Sequence, residues 1–306
     1  LQANPNIFEP PTAEQLAKHL ENNAPAQGFD LQKRLPMLVL MCVGLALLLA
    51  GSPGFALLPM LGVLGVMTFL ASRARAAQEL EQQVTRAWEL AMIRRYRESM
   101  GRAWELLPAC RSRPDLHGRV VTILAHILGE LGKDEAAEVA YMYLLDHLPP
   151  DHPLALRLRV QCAVTALGTN RLADADDTLR KLRNPVEQSD DPSLTAAYQL
   201  ARLLQDMRTG HFADAIAKAD HTAALLQPLG VEAGYGHGLL AVCYQQLALH
   251  DPSADLQQKK LLSQLARRWW DRATLLIPPA ALLYRYPDMS VVPRQIIANT
   301  PEPTQD

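Results

Sequence analysis

Three kinds of residue in this 306-residue chain could do chemistry. Asp174, Asp176 and Asp177 crowd carboxylates together, as sites for hard divalent cations do. The stretch Gly234-Tyr235-Gly236-His237-Gly238 has the glycine density of a phosphate cradle. Nine histidines and four cysteines (Cys42, Cys110, Cys162 and Cys243) are the residue types that ligate soft metals or supply a nucleophile. Spacing argues against each. Consecutive and alternate positions of a helix do not share a face, so the aspartates read as a solvated acidic turn. The glycine run lacks P-loop spacing and a preceding strand, and reads as close helix packing. The cysteines have no C-x-x-C spacing and no histidine in ligand register, which fits buried small hydrophobes in a reducing compartment. His147 and His152 flank Pro149 and Pro150 without carboxylate or thiol company, whereas His126 lies on a helix near Arg119 and Thr122. With no nucleophile-base pair, ligand set or phosphate cradle, the expectation is a protein that is not an enzyme and takes neither cofactor, metal nor small-molecule substrate.

The elements that must position these residues are helices. Apolar content is 49% but aromatic content only 6%, and β-branched residues are sparse beside Ala and Leu, which predicts an all-α protein. A net charge of -2 gives no bias toward nucleic acid.

The organising stretch is Leu124 to Asp151. Leu124, Leu128 and Leu131 fall on one helical stripe, Gly132 and Lys133 supply a break, and Ala136, Ala137, Ala140, Tyr141 and Leu144 form a second stripe closed by Pro149 and Pro150. A single helix hairpin of this kind cannot bury its own apolar face and needs stacked neighbours. The small residue opening each second helix recurs at Ser99, Ala137, Ala175 and Ala215, with spacings of 38, 38 and 40 residues. A fifth unit shows as Ala266, Trp270, Ala273 and Pro278. In its turn Gly132, small Ala137, aromatic Tyr141 and closing Pro149 the chain resembles the tetratricopeptide repeat family, although Val121 and Leu128 stand where its tryptophan and tyrosine usually do. The spacing is also longer than that family's repeat of about 34 residues.

Ahead of the repeats, residues 1–34 are polar, with no basic region leading into an apolar run as in a secretory signal. Thr12 and Gln15 predict a capping box opening a short amphipathic helix through Leu16 and Leu20, ended by Asn22, Asn23 and Pro25. Leu35–Gly51 and Phe55–Ala71 are two uncharged runs of 17 residues joined by Ser52, Pro53 and Gly54. They predict a transmembrane hairpin over 35–72, with Gly44, Gly62 and Gly65 allowing close approach. Lys33, Arg34, Arg73 and Arg75 on its flanks place both termini and the repeat domain in the cytoplasm, in an integral protein of a bacterial cytoplasmic membrane. The second span is expected to continue as one helix to Glu98. The repeat domain then covers 73–286 in about five helix pairs, with Leu282, Leu283, Tyr284 and Tyr286 capping its end. Residues 287–306 are expected to form an extended tail.

The family resemblance implies a concave groove that holds a protein partner. Its candidate residues are Arg119, Thr122, His126 and Glu130 from one unit and Arg157, Val160, Val164 and Leu167 from the next. The lysine and asparagine by which some members clamp a terminal carboxylate are missing, since His126 and Val164 take the matching places. The expected function is therefore a membrane-anchored adaptor or scaffold, or alternatively a structural subunit of a larger membrane complex, with a membrane enzyme a distant third. Its expected contacts are a protein partner or complex subunits and membrane lipid, and not nucleic acid.

Overall fold

The computed structural model describes residues 9–25, 57–149 and 152–298. Every regular element among them is helical. The chain divides into two compact units, one holding residues 18–123 and the other residues 10–17 and 124 onward.

In the first unit, α2 (Leu57–Met92) packs on α3 (Tyr96–Ala109). The contact stripe of α2 is Val84, Ala87 and Ala91, all buried, while Trp88 and Met92 stay exposed. Ser99 Oγ donates to the carbonyl of Ala87, a contact that a hydroxymethyl can make where two helices cross. The short helix α1 (Ala13–Asn22) opens as expected: Thr12 N–H donates to Gln15 Oε1 and Gln15 N–H to Thr12 Oγ1. Its His19 ring stacks on Trp104 with centroids 3.8 Å apart.

The predicted transmembrane hairpin requires correction, because no helix among the described residues is long and apolar enough to cross a membrane. Helix α2 runs without a break through the end of the uncharged run, which closes at Ala71. The same helix then carries Arg73, Arg75, Glu79 and Glu81 on toward the first unit's core. Leu35–Gly51 lies outside the described residues. Helix α2 also ends at Met92 rather than reaching Glu98, since Arg94 adopts the left-handed conformation at φ 62°.

That break is one of a series. Arg94, Gly132, Asn170 and Gly210 all have positive φ. After each, the next residue's N–H reaches back five residues, Arg95 to Leu90, Lys133 to Leu128, Arg171 to Ala166 and His211 to Asp206. This is the six-to-one bond of a left-handed helix C-terminus, which satisfies carbonyls the helix end would otherwise leave unpaired. The residue making the bond then opens the following helix with nearly the same backbone angles each time, φ between -79 and -91° and ψ between 50 and 68°. The turn thus recurs at 38, 38 and 40 residues, the same period as the small residues Ser99, Ala137, Ala175 and Ala215, each of which is buried.

The second unit continues from α4 (Pro114–Glu130), which starts in the first, through α5 (Asp134–His147), α6 (Pro153–Gly168), α7 (Leu172–Glu187), α8 (Pro192–Thr209), α9 (Phe212–Ala217) and α10 (Ala219–Leu226). After a 3-10 turn at Gln227–Glu232 come α11 (Ala233–His250), α12 (Leu256–Leu276) and α13 (Pro279–Arg285). Neighbours and next neighbours pack, α5 on α6, α6 on α7 and α8, and α8 on α9, α10 and α11, a pattern compatible with an α-solenoid. Helix α11 is buried nearly all round, with α8, α9, α10 and α12 against it. Of the extended tail expected over 287–306, residues 287–298 differ from that expectation, and 299–306 lie outside the described residues. Pro287–Ser290 form a 3-10 turn and Val291–Ala298 form α14, because Met289 and Val292 are apolar side chains with a core to enter and both are fully buried.

The left-handed turns give opposite expectations for two substitutions. Gly132→Ala should cost about 1 kcal/mol, since a Cβ is strained at that φ, whereas Arg94→Gly should relieve strain and stabilise by up to about 1 kcal/mol. Urea unfolding of the two variants checks both signs, and a loss of stability in Arg94→Gly would show that its side chain matters more than its backbone.

Candidate functional site

Of the residues named from sequence as a groove, Arg119 and Thr122 belong to the first unit and the others to the second. In the first unit, Arg119 is exposed and lies 3.7 Å from Glu81, and Thr122 Oγ1 donates to the Gly118 carbonyl of its own helix. In the second, His126 and Val164 are half-buried and Arg157 is exposed, 3.4 Å from Asp191. Val160 and Leu167 are fully buried, which corrects their assignment to an open groove. Helix α6 is covered by α5, α7 and α8 at once, so Val160 packs among Leu179, Leu194 and Tyr198, and Leu167 joins the cluster around α11. On α6 the exposed residues are Pro153, Leu154, Arg157 and Arg159.

Glu130 leads to the principal polar cluster of the second unit. Its Oε2 accepts a hydrogen bond of 2.7 Å from the Tyr235 hydroxyl at the start of α11. One turn further on, Asp134 at the start of α5 meets Arg285, the last residue of α13, at 3.0 Å. Their side chains are only 11% and 7% exposed, so this is a buried ion pair. The Arg285 guanidinium lies over the Tyr286 ring at 5.0 Å, and Tyr286 meets Tyr235 edge to face at 5.5 Å. Arg208 at the end of α8 pairs with Asp288 at 3.1 Å. Burial pushes the Asp134 carboxyl upward, and the facing Arg285 offsets part of that. Gly168 makes room for the pair, because a Cβ there would fall 2.1 Å from Asp134 Oδ2. Sequence reading missed Asp134 and Arg285 because their separation of 151 residues leaves no local signal.

The other chemistry-bearing residues are occupied within the fold. Asp174 lies 3.7 Å from Arg171, Asp176 accepts from Gln205, and Asp177 takes both Arg180 and Lys181. Hydrogen bonds from Lys181 and Arg180 hold the Asp177 carboxyl below its ordinary range. Burial pushes the thiols up, to about 11 at Cys110 and about 12 at Cys162 and Cys243, so at neutral pH they are protonated and poor nucleophiles. His152 caps α6 by accepting from Leu154 N–H, and His147 bonds the Tyr143 carbonyl. The glycine run does serve close packing. A Cβ on Gly236 would lie 2.2 Å from Leu226 Cδ1, and one on Gly238 would lie 2.8 Å from Met289 Sδ.

No family model matches the chain, and no curated protein or solved structure does either.

Within the glycine run, His237 sits beside Trp269, ring centroids 5.5 Å apart, with its Nδ1 buried and without a hydrogen-bond partner. Burial, helped by the nearby Arg272 guanidinium, lowers its pKa below the ordinary 6.5. The unfolded chain then takes up this proton more readily than the folded one, so the full contribution to stability holds above pH 6.5 and is lost as pH falls from there toward the folded value. Unfolding free energies at about pH 7.5 and about pH 5.5 should differ less in His237→Phe than in the parent. An unchanged difference would assign the acid sensitivity to other groups.

Proposed function

We propose that this chain is a helical-repeat adaptor or scaffold that binds a protein partner and carries out no reaction of its own. The observation that carries this reading is the fourfold recurrence of one turn and one buried small residue at the same period, a construction that extends surface by stacking. The engaged state of the acids and thiols supports it too, since carboxylates tied to arginine or tyrosine and protonated thiols are not poised for catalysis. Partner contacts then fall on outward residues of the solenoid, and not on Val160 or Leu167, which the core uses.

A second reading, a permanent subunit of a larger protein complex, draws on the first unit. Met67, Phe69 and Leu70 are exposed within one turn of α2, an apolar group of the kind that a protein partner covers.

Purification of the tagged full chain at native abundance separates the two. An adaptor should bring down a stoichiometric protein that leaves between about 0.1 and 0.5 M salt, because contacts through exposed charges are screened over that range. A partner that resists salt favours the permanent subunit. A chain recovered alone at native abundance would overturn both readings.

A further inference from the structure

Helix α12 turns one face to the core with Ala266, Trp269, Trp270 and Ala273, and the opposite face to solvent. On that outer face Lys260, Arg267 and Arg268 recur at seven and eight residues, which places them within one stripe of a helix. Beside them Leu256, Leu261 and Leu275 are 86%, 56% and 85% exposed, far more than leucines on a solvated helix need to be. Leu256 and Leu275 stand about 28 Å apart along the axis.

Basic charge is concentrated on this helix, where Lys259, Lys260, Arg267, Arg268 and Arg272 stand against a single acid, Asp271. Arg171, Arg180, Arg183, Arg208 and Arg285 all find a carboxylate within the fold. Lys260, Arg267 and Arg268 form no ion pair among the described residues. Arg272, by contrast, is folded over the Trp269 ring at 4.6 Å.

We propose, resting on the adaptor reading, that this stripe of α12 is the docking surface and that its occupant is an acidic amphipathic helix of a partner protein. Charge complementarity sets the acidic character, and the three leucines demand apolar side chains at helical spacing between the acids. A nucleic acid backbone would leave those leucines uncovered. An anionic lipid surface is disfavoured by Asp271, which lies in the middle of the stripe, and by Trp269 and Trp270, which are buried in the core and not available to a headgroup layer. A partner helix accommodates Asp271 with a single lysine or arginine.

The test uses the full chain and two synthetic helices, one with Glu and Leu at the contact spacing and one with Lys in place of Glu. The parent should bind the acidic helix with an affinity that falls as salt rises. The triple variant Lys260→Glu, Arg267→Glu, Arg268→Glu should unfold at the parent's temperature, lose the acidic helix by at least about tenfold and gain the basic one. Equal binding of the acidic helix by parent and variant, or binding of phosphatidylserine vesicles in its place, would overturn the proposal. In native cells, a variant that keeps the parent's co-purifying partner would also reject α12 as the surface and leave the adaptor reading standing. Absence of any partner from the parent would reject that reading itself.

Discussion

The C-terminal elements of the second unit are tied back to α5 by an ion pair that is almost wholly buried. Taking a carboxylate and a guanidinium out of solvent costs several kcal/mol per ion, and only good geometry with further partners offsets that cost. Asp134 and Arg285 meet these conditions at 3.0 Å, with the Tyr286 ring under the guanidinium and Gly168 leaving space beside the carboxylate. The pair joins the first residue of α5 to the last of α13, positions 151 residues apart. In a stack where each hairpin touches only its neighbours, an end is a weak point. Here Tyr235 to Glu130, Arg285 to Asp134 and Asp288 to Arg208 tie the C-terminal elements back across the unit.

Around this clasp the apolar core is arranged by small residues. Helix α11 accepts neighbours on nearly every side because Gly234, Gly236 and Gly238 leave gaps that Ile277, Leu226 and Met289 fill. Tertiary contact thus outweighs the poor helix propensity of three glycines. Met289 belongs to the 3-10 turn after α13, so the C-terminal elements supply both the charge that closes the clasp and the side chain that fills the central helix.

Much of the repeat structure was legible because it is local. The period of 38 to 40 residues, the buried Ser99, Ala137, Ala175, Ala215 and Ala266, the Thr12–Gln15 capping box and the packing role of the glycine run all follow from residue type and short-range spacing. Of the four turns the one at Gly132 was legible, whereas Arg94 and Asn170 carry side chains that do not announce a positive φ. The apolar run of α2 read as a membrane span because it lacks charge, whereas no helix among the described residues is long and apolar enough to cross a membrane. Val160 and Leu167 were misplaced for a related reason, since repeat phase gives one outward face whereas α6 is packed by three helices. Asp134 and Arg285 are ordinary exposed residue types, and only the closed fold makes them the clasp.

The most direct test of this account is a double-mutant cycle at the clasp, with Asp134→Asn, Arg285→Met and the pair together, read by urea unfolding of the full chain. Each single change leaves one buried partner uncompensated and should cost about 3 to 5 kcal/mol. The double variant should be less damaged than the sum of the singles by well over about 1 kcal/mol. Additivity within about 0.5 kcal/mol would show that the two residues act independently and that their pairing does not hold the second unit closed.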